Sequence, residues 1–163
     1  MASATTPRPI DARGWLIEVQ DLTATPETWL RLGLLTSFTH APGESEETED
    51  TTSFDDEGFA SQDVMQRGAT LSVESRFAAD KVGKQDAAQA YVDNVWAYRL
   101  GADSHNPVRW RHRSQTTWVV WDATVTPGEQ GGETNAKTSW SATITRSGKP
   151  TTAPVTPPAG GGS

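Results

Sequence analysis

Strict two-residue alternation in four stretches commits this chain to β-structure. In residues 15–21, Trp15, Ile17 and Val19 fall on one face and Glu18 and Gln20 on the other. In residues 69–77, Leu71, Val73 and Phe77 oppose Thr70, Ser72, Glu74 and Arg76. Val119, Trp121, Ala123 and Val125 share a face in residues 117–126, as do Trp140, Ala142 and Ile144 in residues 139–148. Successive side chains of a strand point to opposite faces, so this pattern describes strands with one buried side. Residues 28–40 read as two short strands broken at Gly33, and residues 108–113 as one more. A single helix is predicted over residues 84–101. There Ala88, Tyr91, Val92, Val95 and Trp96 recur at helical spacing, with Asp86 early, Arg99 late and Gly101 as the stop. The fold class is mainly β: a β-sandwich or partly closed barrel of roughly six to eight strands, with one flanking α-helix and a long acidic loop.

The length of 163 residues suits one domain, and with an apolar fraction of 34 % the seven Trp carry much of the bulky packing. Residues 1–13 are Pro-rich and read as a flexible arm, residues 14–150 as the folded domain, and residues 151–163 as a flexible Pro/Gly-rich tail. No apolar run has the form of a signal peptide or a membrane span, so the expectation is a soluble protein made in a cytoplasm. With no Cys there is no disulfide framework and no thiolate zinc site. His40, His105 and His112 lie too far apart in sequence to form a local ligand motif.

Charge is distributed unevenly. The net charge is −7, yet residues 32–66 hold nine of the twenty-one acids and no base, which leaves twelve acids against fourteen bases elsewhere. The chain is bipolar, and bipolarity favours pairing with a complementary surface. All nine of these acids lie in residues 41–66, a stretch too long for a tight turn. Its centre, "EETEDTTSFDDEGF", contains Glu46, Glu47, Glu49, Asp50, Asp55, Asp56 and Glu57 together with Phe54 and Phe59. The glycine does not fall where an EF-hand needs it, and a solvated run of carboxylates offers no environment that would split two pKa values for acid/base work. A Ca2+ site from ligands distant in sequence and a merely solvated loop both stay open. The two Phe point to docking, on the loop's own domain or on a neighbour, because each forgoes about 2 kcal/mol if left in water.

The natural counterpart is "VRWRHR", where alternation places Arg109, Arg111 and Arg113 on one face and Trp110 and His112 on the other. The overall acidity argues against phosphate as the partner of these arginines. Residues 146–152 lack the spacing of a phosphate loop, and no nucleophile motif or metal-protease motif occurs. The sequence therefore gives no support to an enzyme, and no cofactor is expected. An adhesive or carbohydrate-binding β-sandwich is the alternative, and for it exposed Trp would be required.

The ordered set of features resembles the major tail protein of long-tailed phages, the tail tube family of lambda-like type. The residues that carry the likeness are the opening "GWLIEVQD", then "TWLRLGLLTSFTHA", the block from Asp50 to Gly68 with "DTTSFDDEGF" and "QRG", one helix, and the closing "TSWSATITRSGKPT". Coverage runs from Trp15 to Thr151. The resemblance implies a structural subunit that forms hexameric rings stacked around a tape measure protein, with terminator and baseplate proteins at the tube ends and DNA passing through the lumen without specific binding. It implies a place in the virion tail, with assembly in the host cytoplasm and no membrane partner. Residues 41–66 would be the loop that reaches an adjacent ring. Thr70, Ser72, Glu74, Ser139, Ser141, Thr143 and Thr145 are the candidate lumen face. Some relatives carry a further immunoglobulin-like domain, whereas this sequence closes in "PPAGGGS", so the expectation is that any such decoration is absent or made from another product.

Overall fold

The computed structural model describes residues 6–26, 28–43 and 46–155. Nine strands and one α-helix follow in the order β1 (Trp15–Asp21), β2 (Thr28–Arg31), β3 (Leu35–Ala41), β4 (Glu47–Asp50), β5 (Gln62–Gln66), β6 (Thr70–Arg76), α1 (Ala87–Asn94), β7 (Asn106–His112), β8 (Thr117–Pro127) and β9 (Ser139–Pro154). Seven of the strands form one antiparallel sheet, ordered β2-β1-β7-β8-β9-β6-β3, while β4 and β5 pair only with each other.

Of the two expected architectures, the partly closed barrel is the one present. The first and last strands of the sheet, β2 and β3, are consecutive in sequence and only Leu32, Gly33 and Leu34 separate them. Leu32 still donates its amide to Ile17 of β1, and two residues later Leu34 accepts from Arg76 at the end of β6. A continuous chain segment thus crosses from one sheet edge to the other. The sheet must curl to allow it, and the stacking of Trp15 (β1) on Phe38 (β3), with ring centroids 4.9 Å apart, closes the same gap with side chains.

The alternating apolar faces meet inside this curl. Ile17, Val19, Leu71, Val73, Val108, Trp121, Ala123, Trp140, Ala142 and Ile144 are all buried. Helix α1 covers part of this core with Ala88, Tyr91 and Val92, and Asp86 caps its first turn by accepting from the Gln89 amide. The helix is shorter than the spacing predicts. It ends at Asn94, and two 3-10 turns, Trp96–Tyr98 and Gly101–Ser104, complete the path. Trp96 remains inward because its indole N–H donates to the Ser104 carbonyl at 2.7 Å.

Buried polar groups fasten the helix to the sheet. Gln89 donates to Ser75 and to the Arg76 carbonyl, both at 2.8 Å, and accepts from Ala78. Tyr91 donates to Asn106, whose amide reaches the Gln20 carbonyl at 3.0 Å. Asp93 accepts from the Trp140 indole at 3.0 Å. Each is satisfied, which removes the penalty that burial would otherwise impose.

Three boundaries differ from the sequence reading. Phe77 lies beyond the end of β6 and is exposed, and Ser75 occupies the inward position instead. Strand β9 continues past residue 150 to Pro154, paired with Thr117–Val120 of β8, so the start of the expected tail belongs to the sheet. Residues 46–66, for which no strand was predicted, contain β4 and β5. Glu44, residues 1–5 and residues 156–163 lie outside the described residues.

Candidate functional site

The acidic segment is an ordered two-stranded ribbon. Glu47, Thr48, Glu49 and Asp50 pair with Gln66, Val64, Asp63 and Gln62, with a bulge between Glu47 and Thr48. The tip is built from local side-chain bonds. Thr51 and Ser61 join across it through both backbone and hydroxyl groups, and Thr52 shares its hydroxyl with Ser61. Ser53 and Asp56 form a capping box around the 3-10 turn Phe54–Asp56, with the Ser53 amide donating to the Asp56 carboxylate at 2.6 Å. Glu57 then adopts a left-handed conformation (φ 49°) before Gly58. The hydroxyl and amide of Thr52 hold the Asp50 carboxyl below the usual carboxylate range.

Every residue of both strands is exposed. Phe54 is wholly exposed, Phe59 is 77 % and Met65 66 % exposed. Glu49 stands opposite Asp63, a like-charged cross-strand pair that weakens a ribbon already marginal by itself in water. Of the seven acids, Asp56 is committed to the cap, and Glu46 lies 3.9 Å from Arg67 at the ribbon's base. Glu47, Glu49, Asp55 and Glu57 face solvent. Among the described residues no three His, Asp or Glu side chains converge on a point where a metal ion would sit.

The arginine strand is divided in its roles. Arg109 donates to Glu18 through Nε at 2.7 Å, and its guanidinium lies between the Trp29 and Trp118 rings, 4.3 and 4.4 Å from their centroids. This ion pair is half-buried and internal, so Arg109 is committed within its own chain. Arg111 lies over Trp118 and donates through Nη1 to the carbonyls of His112, Arg113 and Gln115. Arg113 follows the end of β7 and is exposed. Glu18, Trp29 and Trp118 were not picked out from sequence. The available signal was that Glu18 and Arg109 occupy outward positions of opposite charge on two alternating strands.

The hydroxyl residues form a ladder across four strands. Thr70 pairs with Thr145, Ser72 with Thr143, Glu74 with Ser141 and Arg76 with Ser139. Thr39 of β3 stands beside Ser72, and Thr124 and Thr126 of β8 stand beside Thr145 and Thr143. The residues between them, Leu71, Val73, Ala142 and Ile144, are buried, so the ladder is the outer face of the sheet. Ser139 and Ser141 turn their hydroxyls to the Gly131 and Glu129 carbonyls of the β8–β9 connection.

All seven Trp are buried or half-buried, which leaves no flat exposed indole platform for a sugar. His40 packs against Trp110 and Trp121, at 4.5 and 5.5 Å between ring centroids. Burial, and then the Arg146 charge, lower its pKa from the ordinary 6.5.

No family model and no curated protein matches the sequence. Among solved structures, the fold is similar to a chain in the virion of a native gene transfer agent particle, with a TM-score of 0.61 at 16 % identity over 89 % of this chain and 99 % of that one. It is similar also to a chain in the tail of an empty gene transfer agent particle with C6 symmetry, with a TM-score of 0.66 at 16 % identity over 88 % and 98 %. Coverage of 88–89 % of this chain and 98–99 % of the others means that most of the fold is shared.

Proposed function

We propose that this chain is the structural subunit of a phage-like tail tube, assembling into hexameric rings that stack around a tape measure protein and later convey DNA. The observation that carries the reading is the shared fold, nearly end to end, with chains of a gene transfer agent tail and virion. The ribbon supports it independently: a charged, aromatic-tipped arm that buries nothing on its own domain suits a contact with another subunit. Ring and tube growth joins unlike patches, and a bipolar chain supplies them.

The hydroxyl ladder is proposed as part of the lumen wall. Thr70, Ser72, Thr143 and Thr145 offer hydrogen bonds without charge, and the ladder's cation is Arg76 at its Ser139 end, one counterion-releasing contact against the several that hold DNA. Glu74 adds repulsion. Terminator and baseplate proteins would meet the same ring surfaces at the tube ends.

Negative-stain microscopy of the purified chain tests the proposal. Hollow tubes or stacked rings of six-fold symmetry are expected. A monodisperse monomer at all concentrations, in low and moderate salt, would contradict it.

A further inference from the structure

We propose that the cleft between the N-terminal arm and the β7–β8 turn is the socket for the ribbon tip of a second copy of this chain, an inference that rests on the tube reading above. The cleft, of about 670 Å3 and open to solvent, is lined by Pro9 and Ile10, by Arg13 and Arg113, and by Asp11. Its shape is fixed by His112. The Ser114 amide donates to His112 Nδ1, so the ring proton is on Nε2 and is donated to the Asp11 carbonyl at 2.7 Å. This bond ties the arm to the turn, and the Arg113 amide adds a second tie to the Gly14 carbonyl at 2.8 Å. Gly14 is required for the approach, because a Cβ there would lie 2.3 Å from His112 Nε2.

Charge selects the occupant. Arg13 and Arg113 are exposed, and among the described residues neither has a carboxylate within ion-pair distance. Asp55 and Glu57 follow the wholly exposed Phe54 at the ribbon tip, likewise without a cation within ion-pair distance among the described residues. Seating the tip in the cleft would place Phe54 against Ile10 and Pro9 and the two carboxylates beside the two guanidiniums. The occupant comes from another copy, since the chain's own Phe54 touches no such wall. A second cleft, lined by Phe77, Tyr98 and Pro127, is of comparable size, but its charged residue is Asp93 alone, whereas the first sets two guanidiniums against the single carboxylate of Asp11 and so carries net positive charge.

Reciprocal charge reversal on the full chain tests the assignment. A tip variant (Asp55→Lys, Glu57→Lys) and a cleft variant (Arg13→Glu, Arg113→Glu) are each expected to keep the wild-type circular dichroism. For each, the concentration needed for tube formation should rise at least about tenfold, because like charges then face each other. An equal mixture of the two should form tubes again, each variant's tip matching the other's cleft. Assembly of either single variant at the wild-type concentration, or a mixture that stays unassembled, overturns the socket while wild-type tubes keep the tube reading intact. Absence of tubes from the wild-type chain overturns both.

Discussion

The barrel and the ribbon are both antiparallel β-structure, and they are held by opposite means. In the barrel, alternation buries one face of the five inner strands, and three Trp, at positions 96, 121 and 140, are almost wholly enclosed. In the ribbon the strands are exposed on both faces, and order comes from the Ser53–Asp56 box and the Thr51, Thr52 and Ser61 bonds. Hydrogen bonds between exposed groups replace bonds to water and contribute little net stability. The ribbon is therefore shaped without being stabilised, a state suited to an element whose burial happens on contact with something else.

The sharpest way to break this comparison is to remove one aromatic ring from each region. Trp121→Ala should cost about 3–5 kcal/mol in urea unfolding, a large share of a domain's total stability. Phe54→Ala together with Phe59→Ala should leave unfolding within about 0.5 kcal/mol of wild type and still impair assembly. A ribbon variant as damaging as the core variant would show that the two regions fold as one unit.

A smaller effect is expected at His40, whose ring joins the core beside Arg146 at the base of the ribbon. A lowered pKa means that the native state binds fewer protons than the unfolded chain below the ordinary value of 6.5. Stability contributed by neutral His40 is thus fully present above 6.5 and declines as pH falls from there toward the depressed native value. Between about pH 7.5 and pH 5.5, His40→Gln should lose less thermal stability than wild type, and an identical loss in both would count against the coupling.

The same contrast decides what was legible in the sequence. Strands β1, β6, β8 and β9 were visible because burial on one side writes a period of two, and the helix because Tyr91, Val92 and Trp96 face inward. The helix was read too long since the 3-10 turns that follow keep Trp96 in phase. The ribbon strands were invisible because nothing in them is buried, so no apolar pattern records them. Barrel closure was hidden for another reason: it depends on Leu32–Leu34 bridging β1 and β6, a fact of register that no local pattern carries. Likewise, the arginine face was legible, but the capture of Arg109 by Glu18 depends on β1 pairing with β7.

Excision of the ribbon tests most directly the claim that it serves assembly and the barrel serves folding. Ala41 and Thr70 are cross-strand partners in β3 and β6, so a two-residue Asn-Gly turn placed between Pro42 and the buried Ala69, both retained, can join the strands in place of residues 43–68. The shortened chain is expected to keep the wild-type circular dichroism and unfolding midpoint and to sediment as a monomer under conditions in which the wild type forms tubes. Tubes from the shortened chain, or loss of its fold, would contradict the account.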